Sequence, residues 1–158
     1  MSGATVVRLS GQGERLNFFA GQNREAMRAA WRTAWRRRLD QLPLEPLHAQ
    51  MVDLIDMHPE YHRQMTEVKP TAAESHSSDP GSTDAFLHLG LHMALREQLA
   101  TDRPPGTRDV YRRLCKAAGE AHGAEHHMIE VLAQTLWEAQ RAGRMPDEQL
   151  YLDALRML

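Results

Sequence analysis

Apolar residues recur every three or four positions along most of the chain, which is the spacing of amphipathic α-helices. The first such stretch begins near Asn23 and carries Met27, Trp31, Ala34 and Trp35. Further stretches follow at residues 46–58, 85–101, 108–118, 120–142 and 146–155. Since no segment shows the alternation of a half-buried strand convincingly, the pattern predicts a single all-α domain, a helical bundle of about six helices.

Proline and capping residues mark the ends of these helices. Pro46 suits the first turn of the second helix, and Pro59 should end or restart it, because the residue before a proline leaves helical geometry. We expect Thr83 or Asp84 to cap the 85–101 helix and Thr107 to cap the helix after it.

Two segments lack the helical period. Residues 1–20 contain three glycines, and we expect them to form a flexible N-terminal extension. Residues 66–82 are polar and contain two prolines, so they are expected to form a long polar loop. The predicted all-α domain therefore spans residues 21–158.

The composition is that of a soluble globular protein. The chain is 42% apolar and 25% charged, and no apolar run is long enough for a membrane span. Its first residues lack the pattern of a secretory signal. The lone cysteine, Cys115, excludes an internal disulfide and removes thiolate-based metal sites. Together these features predict a cytoplasmic location.

Arginines are concentrated in the first helix. Residues 22–39 contain six arginines against Glu25 alone, although the whole chain has a net charge of −2. Four of them follow a strict four-residue spacing: Arg24, Arg28, Arg32 and Arg36. The pattern favours an amphipathic helix with a solvated arginine face. It leaves open a contact with nucleic acid, an anionic membrane surface or an acidic partner.

Histidines occur in pairs four residues apart, a spacing that places both members of a pair on one helix face. With nine histidines in 158 residues, random placement gives fewer than one such pair, and the sequence has three. The pairs are His58/His62, His88/His92 and His122/His126. Imidazoles placed in this way can bind a transition-metal ion, and iron and zinc are the metals that we expect.

The three pairs are not equivalent. The second shares its helix face with leucines and should point into the bundle. The third flanks Glu125, a carboxylate at an apolar position, whose cost of burial could be offset by a metal or by an ion pair with Arg96. In the first pair Pro59 should break the shared face, although His62 could contribute singly. The predicted metal-binding residues are His58, His62, His88, His92, His122, Glu125 and His126.

Two other functions remain open. The histidines and Glu125 could form a buried polar network in a non-enzymatic scaffold that acts through protein contacts, homo-oligomers included. The arginine-rich helix 24–38 could instead bind nucleic acid or an anionic partner. The sequence carries no glycine-rich phosphate loop, no nucleophile elbow and no HExxH motif, and it leaves the question of an enzyme undecided.

The chain also carries a set of distinctive short motifs. These are PLEPL at 43–47, HPEYH at 58–62, FLHLGLH at 86–92, PPG at 104–106 and AEH at 124–126. Through these motifs, the chain from about residue 21 to 158 resembles a bacterial family catalogued only as domain of unknown function 1841. The resemblance implies no established activity, substrate or cofactor, so the metal hypothesis rests on the residues themselves.

Overall fold

Helices make up most of the described chain, which is residues 24–67 and 84–158 of a computed structural model. These residues form seven α-helices and one 3-10 helix, with no strand among them, which confirms the all-α prediction. No described helix has the length and apolar character that crossing a membrane requires. The helices are α1 (Arg24–Leu39), α2 (Pro46–Asp56), the 3-10 helix (Pro59–Tyr61), α3 (His62–Thr66), α4 (Ala85–Thr101), α5 (Thr107–Ala118), α6 (Ala121–Arg141) and α7 (Glu148–Arg156).

The short helices near Pro59 account for the higher helix count. His58 has φ −127° and ψ 69°, outside helical geometry, as expected of a residue before proline. The 3-10 helix starts at Pro59, and α3 begins at His62. The first histidine pair is therefore divided between two elements and does not share one continuous helix face.

The chain separates into two compact units, with the boundary after Leu87 in the first turn of α4. In the first unit, α1 packs against both α2 and α3. The predicted N-terminal extension at 1–20 and most of the predicted loop at 66–82 lie outside the described residues. The buried apolar side chains of α1 to α3 are Met27, Trp31, Ala34, Trp35, Met51, Val52, Leu54, Ile55 and Met65.

The second unit, His88–Leu158, is built around a hydrophobic cluster to which four helices contribute. Tyr151 lies in this cluster, and its hydroxyl donates a hydrogen bond of 2.7 Å to Oε1 of Gln98, so its polar atom is satisfied. The apolar stripes of the predicted helices meet here. The buried members are Leu91, Leu95, Val110, Leu114, Ala124, Met128, Ile129, Leu132, Tyr151 and Leu155.

Aspartates cap the first turns of two helices. Asp84 Oδ1 accepts the backbone N–H of Phe86 at 3.0 Å, so Asp84 has the role predicted for it at the start of α4. Asp147 Oδ1 accepts the N–H groups of Gln149 at 2.9 Å and Leu150 at 3.0 Å, which caps α7. Each carboxylate satisfies donors that have no partner within their own helix.

The start of α5 differs from the prediction. Thr107 is the first residue of the helix and not its cap, and its hydroxyl donates to the carbonyl of Pro104 at 2.7 Å. Asp102 Oδ1 instead accepts the N–H groups of Gly106 at 3.3 Å and Arg108 at 3.0 Å. Gly106 has a φ of 103°, a conformation that glycine adopts without strain.

Candidate metal centre

Four histidines of the second unit lie side by side. His88 and His92 come from α4 and His122 and His126 from α6, with one helical turn between the members of each pair. Five pairs of these rings have centroids 4.2–5.3 Å apart. We call these four residues the histidine cluster. The structure thus brings the second and third sequence pairs together.

The spacing of the rings suits a single metal ion. A metal–nitrogen bond of about 2.0–2.1 Å puts an imidazole centre about 3.2 Å from the ion, so neighbouring ring centres lie about 4.5–5.2 Å apart. The observed distances cover that interval. Ring nitrogens of His92, His122 and His126 lie within 4.8 Å of one another. The nitrogens of a tetrahedral site lie about 3.3 Å from one another, so these side chains would move closer together to bind one ion.

Burial varies across the histidine cluster. His92 is fully buried, whereas His88, His122 and His126 are half-buried. Among the described residues, the cluster is therefore least exposed at His92 and more exposed at the other three rings. The buried ring of His92 is the one whose surroundings the protein fixes most completely.

Glu125 is buried next to His92, with 4% of its surface exposed. Its Oε2 accepts a hydrogen bond of 2.7 Å from Nδ1 of His92, and Nε of Arg96 donates to both carboxylate oxygens at 3.2 and 3.3 Å. Burial alone would raise the pKa of Glu125, but the hydrogen bond from His92 and the charge of Arg96 together lower it. The carboxylate is therefore ionised and paired on both sides.

The sequence indicated one of these two partners. Arg96 was a candidate for an ion pair with Glu125, and the structure contains that pair. The helical period of the sequence did not reveal the hydrogen bond between His92 and Glu125. A usable signal was the four-residue spacing of His92 and Arg96, which places both side chains on the face of α4 that meets Glu125.

The two remaining histidines with a predicted metal role lie in the first unit. His58 is buried, and its Nδ1 is 2.7 Å from the carbonyl oxygen of Leu54. Nε2 of His62 lies 3.0 Å from the carbonyl oxygen of Ile55, and the His62 ring packs on Trp35 with centroids 4.5 Å apart. These contacts stabilise the end of α2. The role of either residue as a metal ligand stays a prediction.

The contacts of Arg28 and Arg32 in α1 bear on the nucleic-acid hypothesis. Arg28 pairs with Asp84 at 3.4 Å, and Nε of Arg32 donates to the carbonyl oxygen of Gln64 at 3.3 Å. Both guanidinium groups lie over the ring of Phe86, 5.4 and 5.1 Å from its centre. Such contacts are typical of packed side chains, so they favour an amphipathic helix over a nucleic-acid-binding face.

The fold and the site define a class of protein: an all-α chain in which two facing helices bring four histidines together. The sequence pattern of one family matches residues 23–157, and that family is described as Domain of unknown function (DUF1841). The chain belongs to this family. No curated protein matches the chain, and no solved structure matches it.

Proposed function

We propose that the protein binds one transition-metal ion through the histidine cluster, with iron and zinc as the expected metals. The observation that carries this proposal is the convergence of four imidazoles from α4 and α6 at ring-centre distances of 4.2–5.3 Å. Nitrogen ligands of this kind suit zinc, iron and neighbouring transition metals, whereas magnesium and calcium prefer oxygen ligands.

The contacts within the cluster suggest how the ligands divide their roles. We assign His92, His122 and His126 as ligands and His88 as the fourth. Glu125 supports His92, because both of its oxygens are already in hydrogen bonds. Four imidazoles would make a closed, structural zinc site, whereas three imidazoles and a water would make a reactive one. Hydrolytic chemistry on a metal-bound water, or redox chemistry with iron, depends on that fourth position.

A metal-free helical scaffold is the competing function. The observation that favours it is Glu125, whose charge is balanced by Arg96 and whose second contact is His92, with no ion required. The histidine cluster would then be a polar network that fixes the packing of α4 on α6. The protein would act through contacts with other proteins or with further copies of itself.

A reducing compartment is part of the proposal. Cys115 is a half-buried, free cysteine. The cytoplasm would keep its thiol reduced. Fractionation of cells that produce the protein at its natural level, with detection by antibody, tests this location. Recovery from an oxidising compartment would contradict it.

The metal content of protein purified without a histidine tag tests the function. We expect close to one iron or zinc ion per chain by elemental analysis, and loss of that ion in the double variant His88→Gln/His92→Gln. His127→Gln is the matched control, because His127 follows His126 on α6 but is exposed. Wild-type protein that contains no metal, and whose thermal stability does not respond to added zinc or iron, would contradict the proposal.

Single variants extend this assay to the first unit. His58→Gln and His62→Gln test the two remaining histidines predicted from the sequence. Loss of metal in either variant would add that residue to the ligand set. Unchanged metal content would leave both histidines with the packing contacts described above.

A further inference from the structure

Arg96, Glu125 and His92 form a continuous chain of hydrogen bonds that ends in the histidine cluster. The side chain of Arg96 is 33% exposed, that of Glu125 is 6% exposed and that of His92 is fully buried. The chain therefore leads from the surface of the second unit into its interior. Its last member is a ligand of the proposed metal site.

Hydrogen-bond chemistry fixes the direction of this chain. An ionised carboxylate can only accept hydrogen bonds. The contact of 2.7 Å between Glu125 Oε2 and Nδ1 of His92 therefore requires the hydrogen to be on Nδ1. In a neutral imidazole the lone pair is then on Nε2, an atom that is buried in this structure.

We propose that Glu125, anchored by Arg96, is the positioning residue of the metal centre: it selects the Nδ1–H tautomer of His92 and holds the ring so that Nε2 binds the ion. This inference rests on the metal binding proposed above. An outer carboxylate on a metal-binding histidine orients the ring and makes it a better donor, and its loss costs roughly 10–100-fold in metal affinity.

Arg96 holds the carboxylate of Glu125 in place next to His92. Its Nε lies 3.2 and 3.3 Å from the two oxygens of Glu125, so both oxygens already accept a hydrogen bond from Arg96. His92 and Arg96 are four residues apart, and one face of α4 therefore supplies both the ligand and the anchor. A bidentate carboxylate ligand at this position would need Arg96 to move away.

Cobalt(II) titration of Glu125 variants tests the effect on metal binding. Cobalt is the probe because its visible absorption reports the number and geometry of its ligands. Glu125→Ala should bind cobalt about 10–100-fold more weakly and with an altered spectrum. Glu125→Gln should retain more affinity, because its amide oxygen can still accept the Nδ1–H of His92. Glu130→Ala, at an exposed position on α6, is the matched control and should bind like the wild type.

A second measurement needs no metal. Nitrogen chemical shifts of the His92 ring distinguish the two tautomers by nuclear magnetic resonance. In metal-free wild-type protein we expect the hydrogen on Nδ1, and in Glu125→Ala a shift of the population toward Nε2–H. An unchanged tautomer ratio in Glu125→Ala would mean that Glu125 does not select the tautomer of His92.

The outcomes separate this inference from the proposed function. Wild-type protein that binds cobalt, with equal affinity and an unchanged tautomer in Glu125→Ala, would overturn the positioning role alone. Wild-type protein that binds no cobalt, zinc or iron would overturn both. If Glu125→Ala fails to fold, Arg96→Met decides: a several-fold weaker cobalt affinity supports the role of the anchored carboxylate, and wild-type affinity overturns it.

Discussion

Burial of a charged side chain costs free energy unless its partners come with it. Glu125 meets this requirement through His92 and Arg96, and the sequence already indicated the cost, because Glu125 occupies an apolar position in the helical period of α6. The helical period by itself did not single out His92 among the histidines as the partner of Glu125. That pairing depends on the offset between α4 and α6 along their axes, which the period of a single helix does not encode.

Arg32 is expected to contribute to stability through its contacts within the first unit. Arg32→Ala should lower the free energy of unfolding by about 1–2 kcal/mol, because it removes a hydrogen bond to Gln64 and a cation–π contact with Phe86. Arg36→Ala, at an exposed position of the same helix, should change it by less than about 0.5 kcal/mol. Urea denaturation measures both values. Equal, small effects would mean that Arg32 is a solvated side chain, and they would reopen the nucleic-acid interpretation.

The hydrophobic period predicted where the helices lie more accurately than it predicted where they end. α4 occupies the predicted residues 85–101, and α6 is one residue shorter at each end than the predicted 120–142. At α5 the predicted cap was wrong, because Thr107 is already the first helical residue, and the N–H groups of Asp109 and Val110 donate to the carbonyl oxygen of Gly106. A cap depends on the path of the preceding loop, and the left-handed turn at Gly106 leaves no mark in the hydrophobic pattern.

The cap of α7 gives a test at the level of an element. Asp147→Ala should lower the free energy of unfolding by about 1 kcal/mol, because the N–H groups of Gln149 and Leu150 lose their acceptor. Asp153→Ala in the same helix removes only exposed contacts, among them the ion pair with Arg156, and should cost less than about 0.5 kcal/mol. Chemical denaturation of the two variants makes the comparison. Equal losses would contradict a specific capping role.

At the scale of the whole chain, the fold class was predictable because one period dominates nearly every described segment. The division into two compact units could not be predicted, because it depends on contacts between helices and not on the pattern of any single helix. Ligand assignment shows the same limit. Six histidines followed from their spacing and Glu125 from its apolar position, but only the packing of α4 and α6 shows that the histidines at 88, 92, 122 and 126 form one group.

Metal binding is expected to stabilise the folded chain. An ion that binds only the folded state adds about 2.7 kcal/mol at a free concentration of 100 times Kd. Zinc titration should therefore raise the Tm of wild-type protein in a concentration-dependent way, and a chelator should reverse the change. The double variant His88→Gln/His92→Gln should show no such shift. A shift of the same size in that variant would place the bound zinc elsewhere.

The hydrogen bond between His92 and Glu125 joins positions 33 residues apart, and the loop of chain that it closes contains all of α5. An ion held by histidines on both sides of that loop would be a removable link across the folded chain, and any opening of the loop that separates its ligands would also cost the free energy of metal binding. α5 carries none of the four histidines. Its backbone amides should nevertheless exchange hydrogen more slowly when the cluster holds a metal, so a helix with no ligand would report whether the ion is bound.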